Sequence, residues 1–129
     1  YAKGKRNEAI MLQVFFGGKN VSSGSFVVPD APYFIALHLC ENDAINKPAK
    51  GRYYHDGGRF VCVAHPKPGE TVETRFDLRK AFRDYYGFAA PPIYGIALEF
   101  DTNGAPNGGK TSAFVKKVEF PQATYELNQ

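Results

Sequence analysis

"DLRKAFRDYYGFAAPPIYGIALEF", residues 77–100, changes its period halfway along. In the first half Leu78, Ala81, Phe82 and Tyr85 recur at i, i+3, i+4 and i+7, one face of an α-helix. Asp77 is placed to cap the start, because a short carboxylate accepts from the first free N–H groups of a helix. Gly87 is placed to end it, because glycine takes the left-handed conformation without steric cost. The spacing therefore predicts a helix of about three turns over 77–87. After Pro91 and Pro92 the chain turns apolar over 93–100 and reads as a core strand.

Working outward, that helix is the one departure from a β pattern. Toward the N-terminus, "AIMLQVFF" (9–16) ends at Gly17-Gly18 and reads as a buried strand. "SFVVP" (25–29) is short and stops at Pro29, as an edge strand would. "YFIALHLC" (33–40) and "RFVCVAH" (59–65) are strong strands, and "TVETRF" (71–76) alternates with period two. Toward the C-terminus, "SAFVKKVEF" (112–120) is the last clear strand, with "ATYEL" as a further short one. Roughly six to eight strands, recurrent turn signals and long connections predict an all-β fold, a jelly-roll or Greek-key β-sandwich with one short helix. No repeat or linker divides the chain, so residues 1–129 read as a single β-sandwich domain.

Composition agrees with a packed domain: 43% of the residues are hydrophobic and 15% aromatic, all of the latter Phe or Tyr. The net charge of +3 is scattered, and the basic N-terminal "YAKGKR" reads as a solvated end, so no nucleic-acid partner is expected. No apolar run reaches the ~18 residues that suggest a membrane span. A chain starting at Tyr1, with no signal peptide, reads as a processed product or an excised domain. Cys40 and Cys62 could form one bridge if their strands are neighbours, or stay two buried thiols; without a CxxC, a thiolate zinc site is not expected.

Strand parity gives each strand one apolar face and one face with a single polar residue near its middle. Gln13, His38, Arg75, Glu99 and Lys117 fall on the second face, and in one sheet they would line a shallow groove. Such a face offers paired donors and acceptors to sugar hydroxyls, and cations to uronates. Ordinary cross-strand ion pairs are the competing explanation. "RYYHDGGR" (52–59) combines the stacking surface of Tyr53 and Tyr54 with the polar His55 and Asp56, as a sugar site needs. It could equally be a hairpin turn on Asp56-Gly57-Gly58 with packed aromatics. Asp101 and Asn103, followed by Gly104, start like a calcium loop but lack the later carboxylates of an EF-hand. An Asx-turn is the stronger reading of that loop, and a structural Ca²⁺ held partly by backbone carbonyls is the metal it would take.

The stretch 77–120, about a third of the chain, resembles a family of bacterial galactose-binding-like jelly-roll domains. The resemblance rests on a D-x-R-x-x-F-like helix with Asp77 and Phe82, then Gly87, Pro91-Pro92, "IYGIA" and the "DTNG" loop at Asp101. Asn103 stands where that family usually carries a second acidic residue, and its N-terminal, often Trp-bearing strands have no recognisable counterpart. The resemblance implies a jelly-roll fold and a sugar-binding or extracellular role.

Three functions follow as expectations. The first is a non-catalytic carbohydrate-binding module of a secreted, periplasmic or cell-surface protein, its polysaccharide or glycan over Tyr53, Tyr54 and His55 or over His38, Arg75, Glu99 and Lys117. The second is a lyase acting on acidic polysaccharide, with Arg75 or Lys117 neutralising charge and His38 or a Tyr as base. The third is a structural or adhesive β-sandwich pairing with a protein partner at an exposed sheet edge. No nucleophile elbow, P-loop or HExxH occurs, so a catalytic function is the less expected outcome.

Overall fold

The structure is a computed structural model and describes residues 10–67 and 69–100. The element order is β1 (Ile10–Val21), β2 (Ala31–Leu39), β3 (Pro48–Ala49), β4 (Gly58–Ala64), α1 (Leu78–Tyr86) and β5 (Ile93–Phe100). The strands form one mixed five-stranded sheet in the order β3-β4-β2-β1-β5. β1 is antiparallel to both β2 and β5, β3 is antiparallel to β4, and β2 runs parallel to β4. The protein is thus mostly β with one short helix, as read from the sequence. Among the described residues there is one sheet and no second layer of strands. The predicted strand at 112–120, with Lys117, lies outside them, as do Asp101 and Asn103.

The helix forms as its caps dictate. The Asp77 carboxylate accepts from the Lys80 N–H at 3.1 Å, and Gly87 closes the helix at φ 83° with its N–H donating to the Arg83 carbonyl. Ala81 and Phe82 are buried against Val14, Phe16, Ile35 and Val61, so α1 covers one face of β1, β2 and β4. The Phe82 ring is fully buried among Phe16, Tyr33, Tyr86 and Phe88, at centroid distances of 4.8, 5.6, 4.7 and 5.1 Å. The other face of the sheet holds a second cluster, Met11, Phe34, Ala36 and Phe60, flanked by Phe15 and Tyr54. Period-two alternation in β1 and β2 feeds the two clusters by turns, which is why both strands look apolar throughout.

Two predicted strands do not form. Residues 71–76 alternate in polarity, but nothing among the described residues pairs with them and they run irregularly into α1. Residues 25–29 form no strand and bend at 26–28, because Ser22, Ser23 and Ser25 take up the backbone groups that a strand would offer to a neighbour. β1, in turn, runs past Gly17-Gly18 to Val21. It bulges there: Gly17 sits at φ 69°, its N–H donates to the Pro92 carbonyl at 2.8 Å, and an added Cβ would come within 3.3 Å of Pro91. The spacing alone ends a strand at that pair; pairing of Asn20 with Pro32 and of Val21 with Ala31 carries β1 onward along β2.

Candidate functional site: a two-loop rim on the sheet

The loop 22–30 joins β1 to β2, and the segment 50–57 leads into β4. Because β4 enters the sheet beside the start of β2, both lie at one end of it. The Ser23 hydroxyl donates to the Val28 carbonyl at 2.7 Å and accepts from the Ser25 N–H at 3.2 Å. The Ser23 N–H donates to the Asp30 carboxylate at 3.0 Å, and Ser25 Oγ accepts from Val27 and Val28 at 3.1 and 3.3 Å. A loop so fully bonded to itself holds its tip outward. Phe26 is 111% exposed and Val27 is 90% exposed.

Tyr54 pins the second loop to the first. Its N–H donates to the Ser23 carbonyl at 3.0 Å, and its hydroxyl donates to the Pro29 carbonyl at 2.6 Å. Its ring meets Phe34 edge-on at 5.4 Å. Burial, and then the Asp30 carboxylate, push the Tyr54 hydroxyl above its ordinary pKa. The residue sits at φ 62°, a conformation that tyrosine holds only where the surroundings over-determine it. The segment closes with the Gly58 N–H donating to the Tyr54 carbonyl at 2.7 Å, an α-turn rather than a two-residue hairpin. Arg59 braces it by donating to the His55 and Gly58 carbonyls at 2.7 and 2.8 Å.

The rim so built presents an exposed Phe26, a half-buried Tyr53 with the Arg52 guanidinium 5.5 Å above its ring centre, and an exposed His55. His55 Nε2–H donates to the Gly51 carbonyl at 2.8 Å, which fixes the imidazole on the rim. Tyr54, read from sequence beside Tyr53 as a ligand contact, is committed to the scaffold. Phe26 and Arg52 were not foreseen. The signal for Phe26 was the serine run ahead of it, which favours a self-bonded loop over a strand.

The polar sheet face divides differently. Cys62, His38, Met11 and Glu99 stand in one row across β4, β2, β1 and β5, and Gln13 lies on the same face one pleat away. Parity therefore places His38, Gln13 and Glu99 together. His38, however, is only 4% exposed and bonds its neighbour's carbonyl, Leu39, through Nδ1 at 3.4 Å. It lines a cavity of about 180 Å³ with Asp43, Lys47, Phe60 and Cys62. Glu99 is half-buried at the β5 edge, and Arg75 is exposed on the irregular segment before α1, off the sheet. Cys40 and Cys62 are bridged, joining the end of β2 to its parallel neighbour β4.

No helix among the described residues is long and apolar enough to cross a membrane. No protein-family model, curated protein or solved structure matches the chain.

Proposed function

We infer that the protein is a non-catalytic carbohydrate-binding module and that its glycan lies across the two-loop rim. The observation that carries this reading is the display of Phe26, Tyr53 and His55 on loops locked to each other through Tyr54. Sugar rings bind on aromatic faces through their apolar C–H surface, and their hydroxyls need fixed donors and acceptors beside it. A rim that is rigid before binding keeps the ordering cost low. The jelly-roll form of the fold and an extracellular or periplasmic setting belong to the same reading. The first is supported by the resemblance of residues 77–120, and the second by the Cys40–Cys62 bridge. A structural Ca²⁺ at Asp101 and Asn103 remains part of the proposal on sequence grounds.

A glycan array on the whole chain, with and without EDTA, tests the reading. A glycan hit that is lost in Phe26→Ala and Tyr53→Ala, both still folded, is the expected result. A blank array from folded protein overturns it. Loss of the hit in EDTA assigns a cation to binding.

One observation favours a second reading, adhesion to another protein. β5 is the edge strand of the sheet among the described residues, and Tyr94, Ile96 and Leu98 on it are 70%, 50% and 47% exposed. The unpaired backbone groups of an edge strand are what a partner strand bonds, and apolar side chains exposed beside them give it surface to cover. A folded chain that ignores glycans and elutes as an oligomer would support this reading over the first.

A further inference from the structure

Cys40, Cys62 and His65 converge at the end of the sheet opposite the rim. One ligand atom from each lies within 4.8 Å of the other two. The two sulfurs come from parallel neighbours, β2 and β4, with Cα atoms 5.9 Å apart, and His65 follows β4 directly. Both cysteines are buried while His65 is exposed, so the cluster has an inner sulfur wall and an outer nitrogen door. The Asp43 carbonyl stands beside it, 3.5 Å from Cys40 Sγ and accepting from His65 Nε2–H. That bond fixes the imidazole beside the two sulfurs, as carbonyl partners orient histidines at metal centres.

In the bridged form the sulfurs are poor ligands, since each lone pair belongs to a disulfide rather than a thiolate. We propose that Cys40, Cys62 and His65 form a reduction-gated zinc site: closed to metal while bridged, and binding one Zn²⁺ through two thiolates and one imidazole once the bridge is opened. A tetrahedral Zn²⁺ bound to sulfur at about 2.3 Å and nitrogen at about 2.0 Å takes such a set, with water or Asp43 as the fourth ligand. The His38-lined cavity includes Cys62, one half of the bridge, in its wall. Opened by a phosphine, the step balances: the disulfide, the phosphine and one water yield two thiols and the phosphine oxide. Binding Zn²⁺ then releases the two thiol protons.

The spacing Cys40-x21-Cys62-x2-His65 matches no familiar zinc motif, which is why the sequence spoke against a site. The parallel pairing of β2 and β4 replaces the motif by bringing the ligands together across the sheet.

The test is titration of the whole chain with Zn²⁺ against a chromophoric chelator, before and after phosphine treatment, with Co²⁺ as a spectroscopic substitute. One equivalent bound by the reduced chain and none by the bridged chain is expected, with a thiolate-to-Co²⁺ charge-transfer band. His65→Ala should weaken binding about tenfold or more while leaving the band, and Cys40→Ser/Cys62→Ser should abolish both. If reduction unfolds the chain, Zn²⁺ should restore its circular dichroism. A folded reduced chain that binds no metal, an unfolded one that Zn²⁺ fails to restore, or equal binding by the bridged form overturns the proposal.

Discussion

The Tyr86 hydroxyl donates to the Phe34 carbonyl at 2.7 Å, tying the last turn of α1 to β2 across 52 residues of chain. Burial drives the Tyr86 hydroxyl well above the ordinary tyrosine range, against the opposing pull of the Arg59 guanidinium 5.1 Å from its ring. Helix, sheet and rim meet here, because Arg59 also holds the His55 carbonyl.

That contact predicts an alkaline limit. A proton held more tightly in the folded chain than in the unfolded chain stabilises the fold fully below the unfolded value of 10.0. Above it, stability falls with rising pH by up to about 1.4 kcal/mol per pH unit for this group. Urea melts from pH 8 to pH 11 should show a plateau and then a fall. Tyr86→Phe should flatten the fall while costing about 1 kcal/mol at neutral pH. A fall of equal slope in the variant would assign the limit to Tyr54 or Tyr85, whose hydroxyls are also raised.

Phe82 is the centre of the helix-side core. Phe82→Ala should destabilise by about 3–5 kcal/mol, since a fully buried ring surrounded by four others leaves a cavity that cannot collapse. Thermal unfolding read by near-ultraviolet dichroism checks it.

Much of this half of the fold is legible in the sequence because its signals are local. Asp77 and Gly87 mark the helix ends within a residue, and the apolar run before Asp101 marks β5. What escapes is what distant chain supplies. Residues 71–76 carry the right alternation and lack a partner. His38 has the right parity, but it is buried and faces a cavity shared with the segment 43–49 rather than an open groove. The Cys40–Cys62 bridge depends on a parallel pairing that neither strand encodes alone.

The rim separates two kinds of effect. Phe26→Ala removes a fully exposed ring and should change stability by no more than about 0.5 kcal/mol. Ser23→Ala strips the hydroxyl that accepts from Ser25 and bonds the Val28 carbonyl, and should cost about 1–3 kcal/mol. If glycan binding drops in both, but only Ser23→Ala lowers the denaturation midpoint, Phe26 contacts ligand and Ser23 shapes the loop.

Gly58 faces the Phe34 ring so closely that an added Cβ would come within 2.4 Å of it. Gly58→Ala should destabilise by about 1–3 kcal/mol and loosen the Tyr54 turn with it. A neutral result in equilibrium unfolding would mean that Phe34 swings aside.

The Cys40–Cys62 bridge closes a loop with a sequence separation of 22 and should contribute about 3 kcal/mol by restricting the unfolded chain. Chemical denaturation of Cys40→Ala/Cys62→Ala in the absence of metal measures it. A loss far below 1 kcal/mol would mean that the strands β2 and β4 hold each other without it.

The order of strands also sets a timetable. β1 is flanked by β2 on one side and by β5 on the other, and β5 begins about 70 residues after β1 ends. A ribosome adding about 5–20 residues per second leaves β1 waiting roughly 4–14 s for its second neighbour. During that interval the nascent chain carries the β1–β2 hairpin with its outer edge bare, an adhesive surface that belongs to synthesis rather than to the finished protein.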